Sequence, residues 1–300
     1  MSKIIQKKAR ILSNLKLIRS YYKLTLELPE IAQVARPGQF VMLRINRGRR
    51  PFLRRPFSIH NVCNNSYLTT KKQAKRLKLN CIEILYEVVG RGTEILSKRR
   101  RGEYLDVIGP LGNGFNLIPS FSGSTSILVA GCMGVAPLFF LGQTIIERNQ
   151  TKVNHHLLVL IGAKRKEEVV IKKDFEKLGL GVKISTDDGS AGFRGRVTDL
   201  LRHLLTTQNL RPAVIYACGP KSMLREITRI SKQYRIPAQI SLDEYMACGL
   251  GVCLGCVIQT KEGQKLVCKD GPVFDAAEIR WYNKKREHYL LNKGGDRWMK

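Results

Sequence analysis

Ser126-Ile127-Leu128-Val129-Ala130-Gly131-Cys132-Met133-Gly134-Val135-Ala136-Pro137 is the stretch whose reading decides the fold. Its first five residues carry no charge and form a continuous run, as expected of a parallel strand covered on both faces, and residues 136–148 have helical spacing. Gly131 and Gly134 lie in the turn between them, where a helix N-terminus can meet a phosphate-bearing ligand. The pattern departs from G-x-G-x-x-G, and a plain strand-to-helix turn is the alternative reading. Working downstream, apolar strands at 156–162, 182–186 and 213–218 alternate with helical segments around 165–178, 196–206 and 220–234. This βαβ series predicts a doubly wound parallel sheet. Ala217-Cys218-Gly219-Pro220 again joins a strand to a helix, so both loops fall at the carboxyl ends of strands. Gly131, Gly134, Ala136, Pro137, Cys218, Gly219 and Pro220 are therefore candidate dinucleotide-binding residues.

Upstream the texture differs. Tyr22-Lys23-Leu24-Thr25-Leu26-Glu27-Leu28, Gln39-Phe40-Val41-Met42-Leu43-Arg44-Ile45 and Cys81-Ile82-Glu83-Ile84-Leu85-Tyr86-Glu87-Val88-Val89 alternate apolar and polar side chains, with Pro29 and Pro37-Gly38 as breakers. They predict a small antiparallel β-barrel, with the lysine-rich residues 71–78 as an exposed hairpin tip. Gly109-Pro110-Leu111-Gly112-Asn113-Gly114 marks the first domain boundary. The expected organisation is a barrel over 1–108, a parallel-sheet domain over 109–236, a cysteine-rich module over 237–280 and a basic tail over 281–300.

Two weaker signals lie in the barrel. Arg55-Pro56-Phe57-Ser58 puts a guanidinium fork at a strand end, and Gly90-Arg91-Gly92-Thr93 opens a short helical segment. Together they could hold a pyrophosphate across the barrel. Singly, each also reads as an exposed loop and a helix cap.

The most specific signal is Cys248-Gly-Leu-Gly-Val-Cys253-Leu-Gly-Cys256 with Cys268 downstream, a C-x4-C-x2-C…C arrangement suited to four thiolates around two bridged irons. A structural zinc site is the competing reading, although zinc ribbons normally pair two C-x2-C knuckles and only one is present. The other four of the eight cysteines are scattered, which suits a metal site in a reducing compartment better than a disulfide framework. The N-terminus has no apolar run of signal-peptide type, and no run of about 18 apolar residues suggests a membrane span. A cytoplasmic location is expected. Lys and Arg number 52 against 24 Asp and Glu, a net charge of +28. The basic runs at 44–55, 71–78, 99–101 and 284–286 read as solvated loops or a surface for an acidic partner. No aromatic-interleaved platform accompanies them, so nucleic acid is disfavoured.

With these residues in view, the chain resembles the ferredoxin-NADP reductase superfamily over about residues 10–236, through R-P-x-S, G-T, G-x-x-G-x-A-P and C-G-P. The C-terminal part, from Ser241-Leu242-Asp243-Glu244-Tyr245-Met246-Ala247 to Cys268-Lys269-Asp270-Gly271-Pro272-Val273-Phe274, is similar to the electron-transfer subunits of NAD-dependent dihydroorotate dehydrogenase. The resemblance implies FAD held by Arg55, Pro56, Phe57, Ser58, Leu85, Tyr86, Glu87, Gly92 and Thr93. It implies a 2Fe-2S cluster on Cys248, Cys253, Cys256 and Cys268, and NAD as electron acceptor. It further implies an FMN-containing catalytic subunit as partner, two of each chain in the complex, and a role in pyrimidine synthesis. The nucleotide loop departs from the family in carrying Cys132-Met133 where a glycine run is usual. Related modules also serve hydrogenases and sulfide-oxidising complexes, and a zinc-stabilised nucleic-acid-binding protein is the alternative from another class.

Overall fold

The computed structural model describes residues 4–46, 48, 51–63, 80–118, 124–149, 156–207 and 210–281. The lysine-rich stretch at 71–78 and the basic tail from residue 282 lie outside them.

Seven strands build the first sheet: β1 (Ile5–Ile18), β2 (Tyr21–Glu27), β3 (Phe40–Arg44), β4 (Arg55–Ser58), β5 (Asn61–Cys63), β6 (Cys81–Glu87) and β7 (Tyr104–Leu111). Their order is β4-β3-β7-β1-β2-β6-β5, with every ladder antiparallel. The sheet curls around a core of Leu24, Leu26, Val41, Leu43, Ile82 and Ile84, the inward half of each alternating strand. Each such side chain contributes about 1.5–3 kcal/mol relative to exposure. Among the described residues no ladder joins β4 to β5 or β6, so the expected barrel is a half-barrel with an open seam. Two short helices, α1 (Pro29–Ala32) and α2 (Arg91–Ser97), lie in its connections.

The second sheet contains β8 (Thr125–Gly131), β9 (His156–Ala163), β10 (Gly181–Thr186), β11 (Phe193–Arg194), β12 (Pro212–Cys218) and β13 (Ala238–Ser241), all parallel to their neighbours. A hairpin of β14 (Val257–Thr260) and β15 (Gly263–Leu266) follows, and β16 (Val273–Asp275) returns antiparallel onto β13. The full order is β11-β10-β9-β8-β12-β13-β16. The uncharged run of β8 is explained by its two covers. Ile127 and Val129 face α5 (Val197–Thr207) and α6 (Lys221–Tyr234), while Leu128 and Ala130 face α3 (Val135–Asn149). None of the described helices is long and apolar enough to cross a membrane.

Three features depart from the sequence expectation. The helix expected over 165–178 is a short 3-10 turn at Lys166–Glu168 and then α4 (Lys172–Lys177), because Val170 and Ile171 sink into the core and Ile171 takes a left-handed φ of +54°. Strand β7 continues past residue 108 to Leu111, and the parallel sheet continues past 236 through β13 to the cysteine module's own β16. The stretch after β7 is a joint rather than a spacer. Asn113 donates to the carbonyls of Lys269 and Asp270 at 3.2 and 3.0 Å, and the Phe115 amide donates to Pro37 at 2.8 Å.

Candidate functional site

The seam of the half-barrel gathers most of the barrel residues singled out in the sequence. Strand β4 borders it on one side. On the other, β5 covers β6 only at Cys81–Glu83, and the rest of that edge has no ladder partner among the described residues. The Val88 amide donates to the Ser20 carbonyl, in the turn leading into β2, and the His60 amide to Glu83 on the opposite side. This alternation turns the backbone groups of Leu85 and Glu87 towards the seam. Arg55 is half-buried there, and a Cβ on Gly92 would lie 3.1 Å from its Nε, so the guanidinium rests against the start of α2. Neighbouring Arg54 is committed elsewhere, to the carboxylate and carbonyl of Asp106, both at 3.0 Å.

Alternation divides the remaining residues. Phe57 packs on the barrel core, so Pro56 and Ser58 face outward, towards the second sheet. Leu85 also faces outward and joins the core around α3, while Glu87 accepts from the Ser20 hydroxyl at 3.2 Å. Tyr86, expected among the residues that hold FAD, is placed differently from its neighbours. Its side chain turns into the barrel, stacks on Tyr22 with ring centres 5.5 Å apart and donates to Asn14 Oδ1 at 3.0 Å, so it points away from the seam. The Thr93 hydroxyl is likewise engaged in its own turn, accepting from Val89 and donating to Gly90, both at 3.0 Å.

The two nucleotide-loop candidates meet directly. A Cβ on Gly134 would overlap the Cys218 carbonyl, and Gly219 packs against Gly131 Cα at 3.0 Å from its own Cβ position. They flank the crevice where the chain leaves β8 towards β9 and returns at β12, the switch point at which open α/β sheets take ligands. Ala136 and Pro137 start α3. Burial pushes the Cys218 thiol up to about 12, with Ser241 opposing, which favours the neutral thiol. Tyr21, beside Glu87 and Cys132, is pushed up to about 12 by burial and then by Glu87.

Sequence reasoning missed His60. It is 1% exposed, its Nδ1 lies 3.0 Å from the Ala136 carbonyl, and its ring stacks on Phe139 at 4.8 Å. Burial holds its pKa below the ordinary histidine value, so the neutral ring donates Nδ1–H across the boundary between half-barrel and nucleotide sheet. The signal was available in Phe57-Ser58-Ile59-His60, where a polar residue follows an alternating strand.

The cysteine loop is shaped around its sulfurs. Cys248 Sγ accepts the amides of Leu250, Val252 and Cys253 at 3.3, 3.4 and 3.5 Å, and the Gly251 amide donates to Cys268 Sγ at 3.2 Å. Burial opposes ionisation of Cys248, but the three amides outweigh it and bring the thiol down to about 6. Burial, followed by Cys256, pushes Cys268 up to about 12. The Cys253 amide donates to Cys248 Sγ and the Cys268 amide to Cys256 Sγ at 3.4 Å, which groups Cys248 with Cys253 and Cys256 with Cys268. Among the described residues no three His, Cys, Asp or Glu side chains converge on one ion position. Two pairs of thiols with amides aimed at sulfur fit a diiron cluster, in which two thiolates serve each iron. Gly249 and Gly251 take φ of +70° and +80°, and a Cβ on Gly249 would lie 2.6 Å from Met42 Cγ. Met42 is fully buried and pairs across the ladder with Pro56 of β4, so the loop sits on the strand beside the seam.

Comparison with known proteins agrees with this arrangement. The family described as iron-sulfur cluster binding domain of dihydroorotate dehydrogenase B matches residues 243–280, and the oxidoreductase NAD-binding domain matches 128–229. The chain is 35% identical over 285 residues to the dihydroorotate dehydrogenase B (NAD(+)) electron transfer subunit of Desulforamulus reducens, covering 94% of this chain and 100% of that one. It belongs to the family of dihydroorotate dehydrogenase B electron transfer subunits. The Bacillus cereus (strain Q1) member is 36% identical over 282 residues, covering 92% and 99%. Among solved structures, an NADH-dependent reduced ferredoxin-NADP oxidoreductase superposes with a TM-score of 0.73 at 24% identity, covering 95% and 97%. A ferredoxin NADP+ reductase from Neisseria gonorrhoeae with bound FAD and NADP gives 0.60 at 16%, covering 76% and 91%. These likenesses establish the fold. Family membership sets aside the zinc-stabilised nucleic-acid-binding alternative.

Proposed function

We propose that this chain carries electrons between a dihydroorotate-oxidising catalytic subunit and NAD, using FAD at the half-barrel seam and a 2Fe-2S cluster on Cys248, Cys253, Cys256 and Cys268. When bound, FAD supplies the conversion between a two-electron hydride and single electrons, and the cluster supplies one-electron transfer. The protein's part is placement. Arg55 offers its fork to the pyrophosphate beside Gly92, and Ser58 with the open edge at Leu85 and Glu87 orients the ring. The loops at Gly131, Gly134, Ala136 and Pro137 and at Cys218, Gly219 and Pro220 take NAD at the switch point. Amides of Leu250, Val252 and Cys253 stabilise thiolate at Cys248.

The observation that carries this reading is the seating of Gly249 on Met42, whose cross-strand neighbour is Pro56. It brings the sulfur-bearing loop next to the strand that borders the seam. The module also carries exposed apolar side chains, with Tyr245 95%, Val252 78% and Leu254 63% exposed. We assign these side chains to the interface with the catalytic subunit, which we take to be FMN-containing and present in a complex of two of each chain, acting in the cytoplasm in pyrimidine synthesis.

The test is anaerobic purification of the chain with its catalytic subunit, followed by a visible spectrum, iron and flavin analysis, and an assay of dihydroorotate-dependent NAD reduction. The expected material is brown-yellow, with two irons and one FAD per chain. Colourless, zinc-containing protein, or a preparation that reduces NAD only with a different catalytic partner, would overturn it.

A further inference from the structure

Two of the cysteines outside the iron-binding loop are far apart in sequence yet directly opposed in space. Cys63 closes β5 and Cys81 opens β6, and the two are cross-strand partners in an antiparallel ladder. Their Cα atoms are 5.2 Å apart, inside the 4.4–6.8 Å window of a disulfide. Cys81 is 1% exposed and Cys63 partly exposed. We propose that Cys63 and Cys81 form a reversible thiol–disulfide pair, a redox modification site separate from the electron-transfer route.

Both states are accommodated by the same backbone. Cys81 Sγ lies 2.9 Å from the Cys63 carbonyl, so in the dithiol state the buried S–H has an acceptor and leaves no unsatisfied donor. In the oxidised state the ladder already holds the sulfurs together. The oxidant is a low-molecular-weight disulfide. The partly exposed Cys63 thiolate attacks one of its sulfurs and releases one thiolate, giving a mixed disulfide at Cys63. The Cys81 thiolate then attacks the Cys63 sulfur and expels the second thiolate. Two protein thiols lose two electrons, and the external disulfide becomes two thiols. Reduction by excess external thiol runs the same exchanges backwards. The bridge closes a sequence separation of 18 and ties the last strand of the curled sheet to β6, whose far end borders the seam. Closing such a loop restricts the unfolded chain, so the oxidised form is the more stable.

The full-length chain is equilibrated anaerobically in graded mixtures of reduced and oxidised glutathione, trapped with N-ethylmaleimide, digested and mapped by mass spectrometry. Peptide mapping keeps this pair distinct from the iron-binding cysteines. The expected result is a linked Cys63–Cys81 peptide that rises with the oxidised fraction, reaches half-formation within the series and disappears on return to reduced glutathione. The melting temperature rises by several degrees alongside it, and Cys63→Ser abolishes both changes. Alkylation of both thiols at every ratio overturns the proposal. So does a bridge that persists at the most reducing ratio, which would be a fixed structural disulfide, or glutathione retained on Cys63 without closure.

Discussion

Gly134 shows how one missing Cβ holds two loops together. The Cβ of an alanine there would overlap the Cys218 carbonyl, which is backbone and cannot swing aside. Gly134→Ala should therefore part the loops, costing about 1–3 kcal/mol of overpacking. We expect a weaker apparent affinity for NADH in steady-state kinetics, with flavin and iron content unchanged. The cysteines answer to a different test. Cys253→Ser removes the exposed member of one thiol pair, so iron per chain should fall well below the parent while flavin content stays near stoichiometric, as measured by metal and flavin analysis. The spacing of these four cysteines marks them as a candidate site in the sequence, because two bridged irons would need a tight loop and a distant fourth donor. The direction of Tyr86 was not legible there, because whether a residue on β6 faces the barrel or the seam depends on register with β2, which a single strand does not reveal.

Between elements, the informative contacts are those that join β3 and β4 to what packs on them. The continuous run of β8 and the alternation of β2 and β3 disclosed the two sheets, since burial on two faces or one writes itself into residue order. The joint at Asn113 and the His60 pin stayed hidden, because each depends on a partner brought in from a distant part of the chain. His60 carries a pH prediction. Its folded pKa is depressed, so the unfolded chain takes up a proton first as pH falls through about 6.5, the ordinary histidine value. The stability it contributes is thus present above that pH and lost below it. Urea midpoints between pH 8 and 5 should fall more steeply for the parent than for His60→Gln, which keeps a donor but does not titrate. The seat of the cysteine loop makes a second prediction. Gly249→Ala meets Met42 and a φ of +70°, which together cost about 2–5 kcal/mol. Iron loading should drop, and Met42→Ala in the same chain should restore it only partly, since it relieves the clash and leaves the backbone strain.

At the scale of the whole molecule, three units share surfaces that a domain list would separate. The cysteine module contributes β16 to the parallel sheet and rests its loop on the half-barrel, so thiols, seam and switch point are fixed by one continuous packing. What the sequence left open was the use of the +28 charge and the partner's position, because neither has a periodicity. The exposed apolar residues around the loop carry the partner prediction. Tyr245 and Val252 are large, open and close in sequence to Cys248 and Cys253, where, on the proposed function, the catalytic subunit has to approach closely to exchange electrons. A carboxylate placed there would have to be desolvated in the interface, and truncating an aromatic anchor alone often costs 2 kcal/mol or more. Tyr245→Asp with Val252→Asp should weaken binding of the catalytic subunit at least tenfold, about 1.4 kcal/mol, in a titration followed by calorimetry. NADH-dependent reduction of a small artificial acceptor should be retained, because neither side chain is among the residues placed at the seam or in the nucleotide loops. Loss of both activities together would instead mean that the loop had failed to hold its shape, and unchanged binding would move the partner to another face of the chain.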